Sequence, residues 1–289
     1  MQRFITLTMT LVLAAALIAG CGSDEQEAAG YDHPTGASDL VMRASVGGGF
    51  VPVDFAIGQL PAISVYGDGT VVVPGAIIEI YPGPAFPSVQ TFTINEDAIQ
   101  FLLGEADRAG LLGPQLDYGT PPIADAATTT FTVVTGGERH DVAVYALGTG
   151  GTISAGPLDL TEEQQARRSA ASDFATVLFG LETYLAGSQI VAGTTDYAPT
   201  AMAVYATGYE GAPELPQPTR AWPAGSLQGG EPAGAGFTCR VVEGDALASA
   251  LPAIRDANQL TPWTADGAEY HLVFRPLLPD ETSCADLTS

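Results

Sequence analysis

The chain has 289 residues, 46% of them hydrophobic, and carries 33 acids against 10 arginines and no lysine, for a formal charge of −23. That balance argues against nucleic acid as a partner, since phosphate binding rests on many cationic contacts. It also argues against broad contact with anionic lipid and suits a solvated acidic surface, with high salt, cationic ligands or calcium as alternatives.

Arg3 is the only charged side chain before an apolar run of about a dozen residues that ends in LIAG. A membrane span needs roughly 20 residues, so residues 1–20 read as a secretory signal peptide. Ile18-Ala19-Gly20-Cys21 resembles the bacterial lipobox. In that family of signals the cysteine is joined to diacylglycerol and the chain is cut just before it. The resemblance implies that Cys21 carries the lipid, with palmitate-type chains, and anchors a lipoprotein to the cell membrane outside the cytoplasm. Two acyl chains hold firmly where one holds marginally. The stretch that follows, to Asp39, is polar and small with no apolar period, and reads with Cys21 as a flexible tether over 21–39.

Leu40 to Val46 is the first predicted strand, broken by the glycines at 47–49. Ile63–Tyr66 and Thr70–Val73 form a hairpin around Gly67-Asp68-Gly69. Residues 76–83, AIIEIYPG, read as a further strand or a loop edge. Ala98, Phe101, Leu102, Ala106 and Ala109 recur at helical spacing, with Thr93 and Glu96 as a capping box, Asn95 as the rival cap and Gly110 as the stop. A second hairpin pairs 128–135 with 139–147 across Gly136-Gly137. Thr161 and Gln164 stand at capping-box spacing before a stripe of Ala170, Phe174, Val177, Leu178, Leu181 and Leu185. Ala201–Tyr205 is a short strand, 208–236 a Gly/Pro-rich loop, and FTCRVV another strand. Asp245 is the expected cap of a helix with Leu247, Leu251 and Ile254 on one face. A last hairpin turns at Asp266-Gly267 before an extended tail.

The expected fold is therefore α+β, a mostly antiparallel sheet with three main helices. Helix plus hairpin occurs twice, which leaves open two related units, 40–192 and 193–289. With Cys21 assigned to lipid, Cys239 and Cys284 remain, and an even pair in an exported protein reads as a disulfide. By chain entropy, a loop of that length contributes roughly 4 kcal/mol.

The sequence names no catalytic residue and no cofactor. GTISAG at 151–156 is not a nucleophile elbow. His33, His140 and His271 are scattered and show no metal spacing. Trp222 and Trp263 sit beside prolines, and with Arg220 and Arg275 they are the candidate binding surface. The ordinary reading is that these rings pin loops to the body, and that Arg275 pairs with a carboxylate to fix the tail.

ISVYGDGTVVVPG, ADRAGLL, ADAATTTFTVV, HDVAVYALG and FRPLLPDETSC together resemble a group of uncharacterised secreted proteins of high-GC bacteria, actinobacteria above all, many with a lipobox. The resemblance runs from about Tyr31 to Cys284 and implies a compartment but no mechanism. The function expected is a lipid-anchored extracytoplasmic module that binds a protein or small-molecule partner. The rival is an envelope hydrolase using carboxylates or a metal, and a solute receptor is the weaker third.

Overall fold

The computed structural model describes residues 30–148 and 159–287. The signal peptide, Cys21 and GTISAG therefore lie outside the described residues. The fold is α+β and mostly antiparallel, with two sheets and, among the described residues, three helices of more than six residues.

The first sheet holds β1 (Leu40–Gly47), β2 (Ile63–Tyr66), β3 (Thr70–Pro74), β4 (Val89–Ile94), β5 (Thr128–Thr135), β6 (Glu138–Tyr145) and β7 (Ile190–Asp196), in the order β6-β5-β1-β2-β3-β4-β7. Period-2 alternation sends Ile63 and Val65 of β2 to one face and Ser64 and Tyr66 to the other. The first face is covered by α2 (Glu96–Arg108) and α3 (Glu162–Phe179), which seal a core that includes Met42, Phe92, Leu102, Phe131, Phe174 and Leu178. The Phe131 and Phe174 rings meet edge to face, 5.4 Å between centroids. Gly69 turns the β2–β3 hairpin at φ +84°, where an added Cβ would lie 2.0 Å from the Ile94 carbonyl oxygen.

The helix caps follow the local chemistry. Thr161 and Gln164 form the reciprocal capping box of α3. For α2 the rival cap is the one used: Asn95 accepts from the Ala98 N–H, because Thr93 is engaged in the β3–β4 ladder. The α3 stripe is interrupted at Gly180, so Leu181 and Leu185 reach the core from a separate turn, α4 (Leu181–Tyr184). Arg168, buried, ties α3 to the carbonyls of Tyr118, Tyr145 and Ala146 at 3.3, 2.8 and 2.6 Å. Burial lowers its pKa.

The second sheet contains β8 (Ala201–Gly208), β9 (Arg220–Ala221), β10 (Glu231–Pro232), β11 (Thr238–Glu243), β12 (Trp263–Ala265) and β13 (Ala268–Pro276), in the order β10-β11-β8-β13-β12-β9. Only β9 and β12 pair in parallel among the described strands. α5 (Gly244–Arg255) packs Leu247, Ala250 and Ile254 on one face of this sheet, against Met202, Val204, Leu272 and Phe274. Asp245 is not its cap. Glu243 occupies that position, and Asp245 lies in the first turn, where its charge suits the helix dipole.

The chain crosses from the first sheet to the second once, between β7 and β8, and Tyr31–Ser289 is one compact unit. Of the tether expected over 21–39, the described residues from Tyr31 to Asp39 are bonded to the body. Tyr31 donates its N–H to Gln100 at 2.7 Å, His33 meets Glu96 at 3.0 Å, and the Asp39 carbonyl accepts from Gly67 at 2.9 Å. Not read from the sequence were β4, β7, the short α1 (Val53–Gly58), the two-residue β9 and β10 within the expected 208–236 loop, and a 3-10 turn over Cys284–Leu287 in the expected extended tail. Residues 76–83 form no strand, and Ile77, Ile78, Ile80 and Tyr81 are exposed there.

Phe174→Ala is expected to cost about 3–5 kcal/mol in urea unfolding, as large-to-small core changes do. Ile77→Ala, at a side chain 82% exposed, is expected to change stability by less than about 0.5 kcal/mol.

Candidate functional site

The second face of the first sheet is where the structure collects charge. Arg43 stands on β1 between Met42 and Ala44, which belong to the helix-covered core. Alternation therefore turns Arg43 the other way, beside Ser64 and Tyr66 of β2. Its Nε donates to Ser64 Oγ at 2.9 Å and its Nη2 to Tyr66 Oη at 3.2 Å. In the second sheet, Leu272 and Phe274 of β13 face α5, so Arg275 points to the opposite side.

The C-terminal segment runs between these two faces. Leu277 packs with Ala203 and Tyr205 of the second sheet, and Leu278 with Leu40, Tyr66, Val72 and Val89 of the first. Asp280 accepts from Arg43 at 2.6 Å and from the Tyr66 hydroxyl at 2.7 Å. Glu281 takes Arg275 in a bidentate pair at 2.7 and 2.9 Å, and accepts from the Leu278 N–H at 2.8 Å. Arg43 also lies 3.9 Å from Glu281. Arg275 Nε donates to the Gln59 carbonyl at 3.1 Å, and Tyr197 donates to the Leu277 carbonyl at 2.9 Å. Two arginines thus meet two adjacent acids, one arginine from each sheet. Planar guanidinium forks suit such bidentate pairing better than lysine would.

Burial penalises the Arg43 cation, but the Asp280 carboxylate and its neighbours outweigh that and raise its pKa overall. Burial pushes the Tyr66 phenol well above its ordinary range, with Asp280 adding to the effect against the opposing pull of Arg43. Burial, then the Glu281 and Asp280 charges, raises Tyr197 to about 12.

Cys239 and Cys284 are joined in a disulfide, with Cα atoms 6.1 Å apart. The bond ties the tail to β11 three residues beyond Glu281. The Asp286 carboxylate accepts from the Thr282 and Ser283 N–H groups, both at 2.8 Å, and these bonds hold its pKa down.

The surface expected from Trp222, Trp263, Arg220 and Arg275 is not formed. Trp263 is 1% exposed, and Trp222 is buried against it. The two rings meet edge to face at 5.7 Å, and Trp222 stacks on Phe274 at 5.9 Å. They fill the core under α5 beside Met202, Leu227, Leu247, Ile254 and Phe274. Arg220 pairs with Asp256 at 2.7 Å, and Arg275 is the buried partner of Glu281. His33 and His271 are engaged with Glu96 and Asp54, while His140 lies across from Val133. Among the described residues no group of three or more His, Cys, Asp or Glu could hold a metal ion.

Arg43, Tyr66, Asp280 and Glu281 went unread in the sequence. A lone charge in LVMRASV, apolar but for Ser45, was the available sign, together with the two prolines that punctuate FRPLLPDE. Chemically the arrangement is a joint, since both Glu281 oxygens and one Asp280 oxygen are taken by donors. No family model matches the chain, and neither a curated protein nor a solved structure matches it.

Tyr197 sets an alkaline limit. Its folded pKa of about 12 lies above the ordinary 10.0, so the fold holds the proton more tightly than the unfolded chain does. The stabilisation is complete below pH 10 and lost as pH rises through 12. Urea unfolding is expected to show stability falling across that window, and falling less steeply in Tyr197→Phe.

Proposed function

We propose that this is a lipid-anchored protein of the cell surface, facing outside the cytoplasm, that acts by binding another protein rather than by catalysis. Three things support the reading. The lipobox-like Cys21 supplies an anchor. The adjacent acids Asp280 and Glu281 are committed to arginines. The third, which carries the reading, is the placement of the exposed apolar side chains.

β1 and β3 run the same way on either side of β2, so the connections that follow them leave the same end of the first sheet. Those connections hold Phe50, 93% exposed, with Val51, Val53 and Phe55, and then Ile77, Ile78, Ile80 and Tyr81. Large apolar side chains left in water at this density mark contact sites. Asp54, paired with His271, and Glu79 lie within the two connections, and Arg255 with Asp256 lines the recess at Ile78 and Ile80. A surface whose acids outnumber its one arginine is disfavoured on an anionic bilayer. A protein with an apolar centre and a basic rim is attracted to it.

The test is photo-crosslinking in intact cells from a probe placed at residue 78. The expected result is a discrete protein adduct, abolished by Ile77→Ser with Ile80→Ser while membrane localisation persists. Cys21→Ser is expected to leave the precursor unprocessed or mislocalised. Adducts to lipid alone, or a normally trimmed and acylated Cys21→Ser chain, would contradict the reading.

A further inference from the structure

Among the described residues the tail takes part in two of the four apolar clusters, and those two are the ones at the joint. Leu277 and Cys284 belong to the cluster on the second sheet, and Leu278 to the cluster on the first. The clusters under α2 and α3 and under α5 contain no residue beyond Phe274. Each sheet and its helices therefore have a core that does not depend on the tail.

The tail also carries the carboxylates for both arginines, and the Cys239–Cys284 bond follows within three residues. A recess of about 320 Å³ opens beside that bond, lined by Cys239, Cys284, Thr282, Ser283 and Arg240 among others. It has room for a small thiol at Cys284, the more exposed of the two cysteines at 6% against 2%.

We infer that Cys239–Cys284 and the Arg43/Arg275/Asp280/Glu281 cluster form a redox-sensitive latch, opened by an external dithiol, that controls how tightly the two sheets are joined. The thiolate of the dithiol attacks one protein sulfur to give a mixed disulfide. Its second thiolate then expels the protein cysteine. Two electrons and two protons end on Cys239 and Cys284, and the dithiol leaves as its own disulfide. With the cross-link gone the tail is held only by the Arg43 and Arg275 pairs and by the packing of Leu277 and Leu278, so it opens more often while each layer stays folded. The proposal goes beyond the binding role above and does not depend on it.

The experiment is hydrogen exchange on the full chain in detergent, with and without dithiothreitol, the free thiols being counted by alkylation and mass. In the closed state the Leu277 N–H donates to the Ala201 carbonyl at 3.0 Å, Leu278 to Glu281 at 2.8 Å, and Glu281 to the Leu278 carbonyl at 2.9 Å. Reduction is expected to speed exchange at these three amides at least tenfold and to leave α2 and α3 unchanged. The double variant Cys239→Ser with Cys284→Ser is expected to do the same without reductant. Three results overturn the latch: no alkylation of the native protein, both thiols free with the tail still protected, or α2 and α3 losing protection together with the tail. In the last case the bond is a staple for the whole body.

Discussion

Two guanidinium groups are carried to the inside of the molecule by strands whose other faces are already spoken for. Arg43 has no choice of side because Met42 and Ala44 are needed under the helices, and Arg275 has none because Leu272 and Phe274 are needed under α5. Buried cations without partners are costly enough to decide a structure. The tail answers that demand, bringing two adjacent carboxylates to one arginine from each sheet. Much of the C-terminal structure follows: Leu277 and Leu278 divide between the sheets, Tyr66 and Tyr197 are enclosed, and Cys284 is brought to Cys239.

The same constraint separates the interior from the surface. The adjacent acids Asp280 and Glu281 are neutralised in place, and the indole rings are spent on filling the core under α5. What is left to face outward is acidic, with the large apolar side chains concentrated in the connections after β1 and β3. A surface of that kind fits recognition by contact, which is the reading proposed above.

Where the sequence carried a period it was legible. The α2 and α3 stripes, the Gly136-Gly137 and Asp266-Gly267 hairpins and the α+β class all follow from local pattern and positive-φ turns. β4 and β7 have only six and seven residues. Their strand character comes from pairing with each other and with β3, which no local window contains. Half of the joint was legible, since Arg275 and its carboxylate lie six residues apart in FRPLLPDE, but Arg43 was not, being 237 residues from Asp280. Trp222 and Trp263 could be read two ways because proline and glycine beside a ring look like an exposed loop, and the ordinary reading, rings that pin loops to the body, is the one their burial agrees with. Here the ring is the buried part, and the prolines bring the chain to it.

The central claim is that the acids of the tail join the two sheets through Arg43 and Arg275. A double-mutant cycle on Arg43→Met and Arg275→Met, read by urea unfolding, tests it most directly, because the two side chains lie on different sheets and share only the tail acids. Members of one ionic network couple by roughly 0.5–3 kcal/mol, whereas independent sites add within about 0.5 kcal/mol. A coupling energy above about 1 kcal/mol is the predicted result. Simple additivity would mean that the two arginines are held separately and that the tail is not the joint.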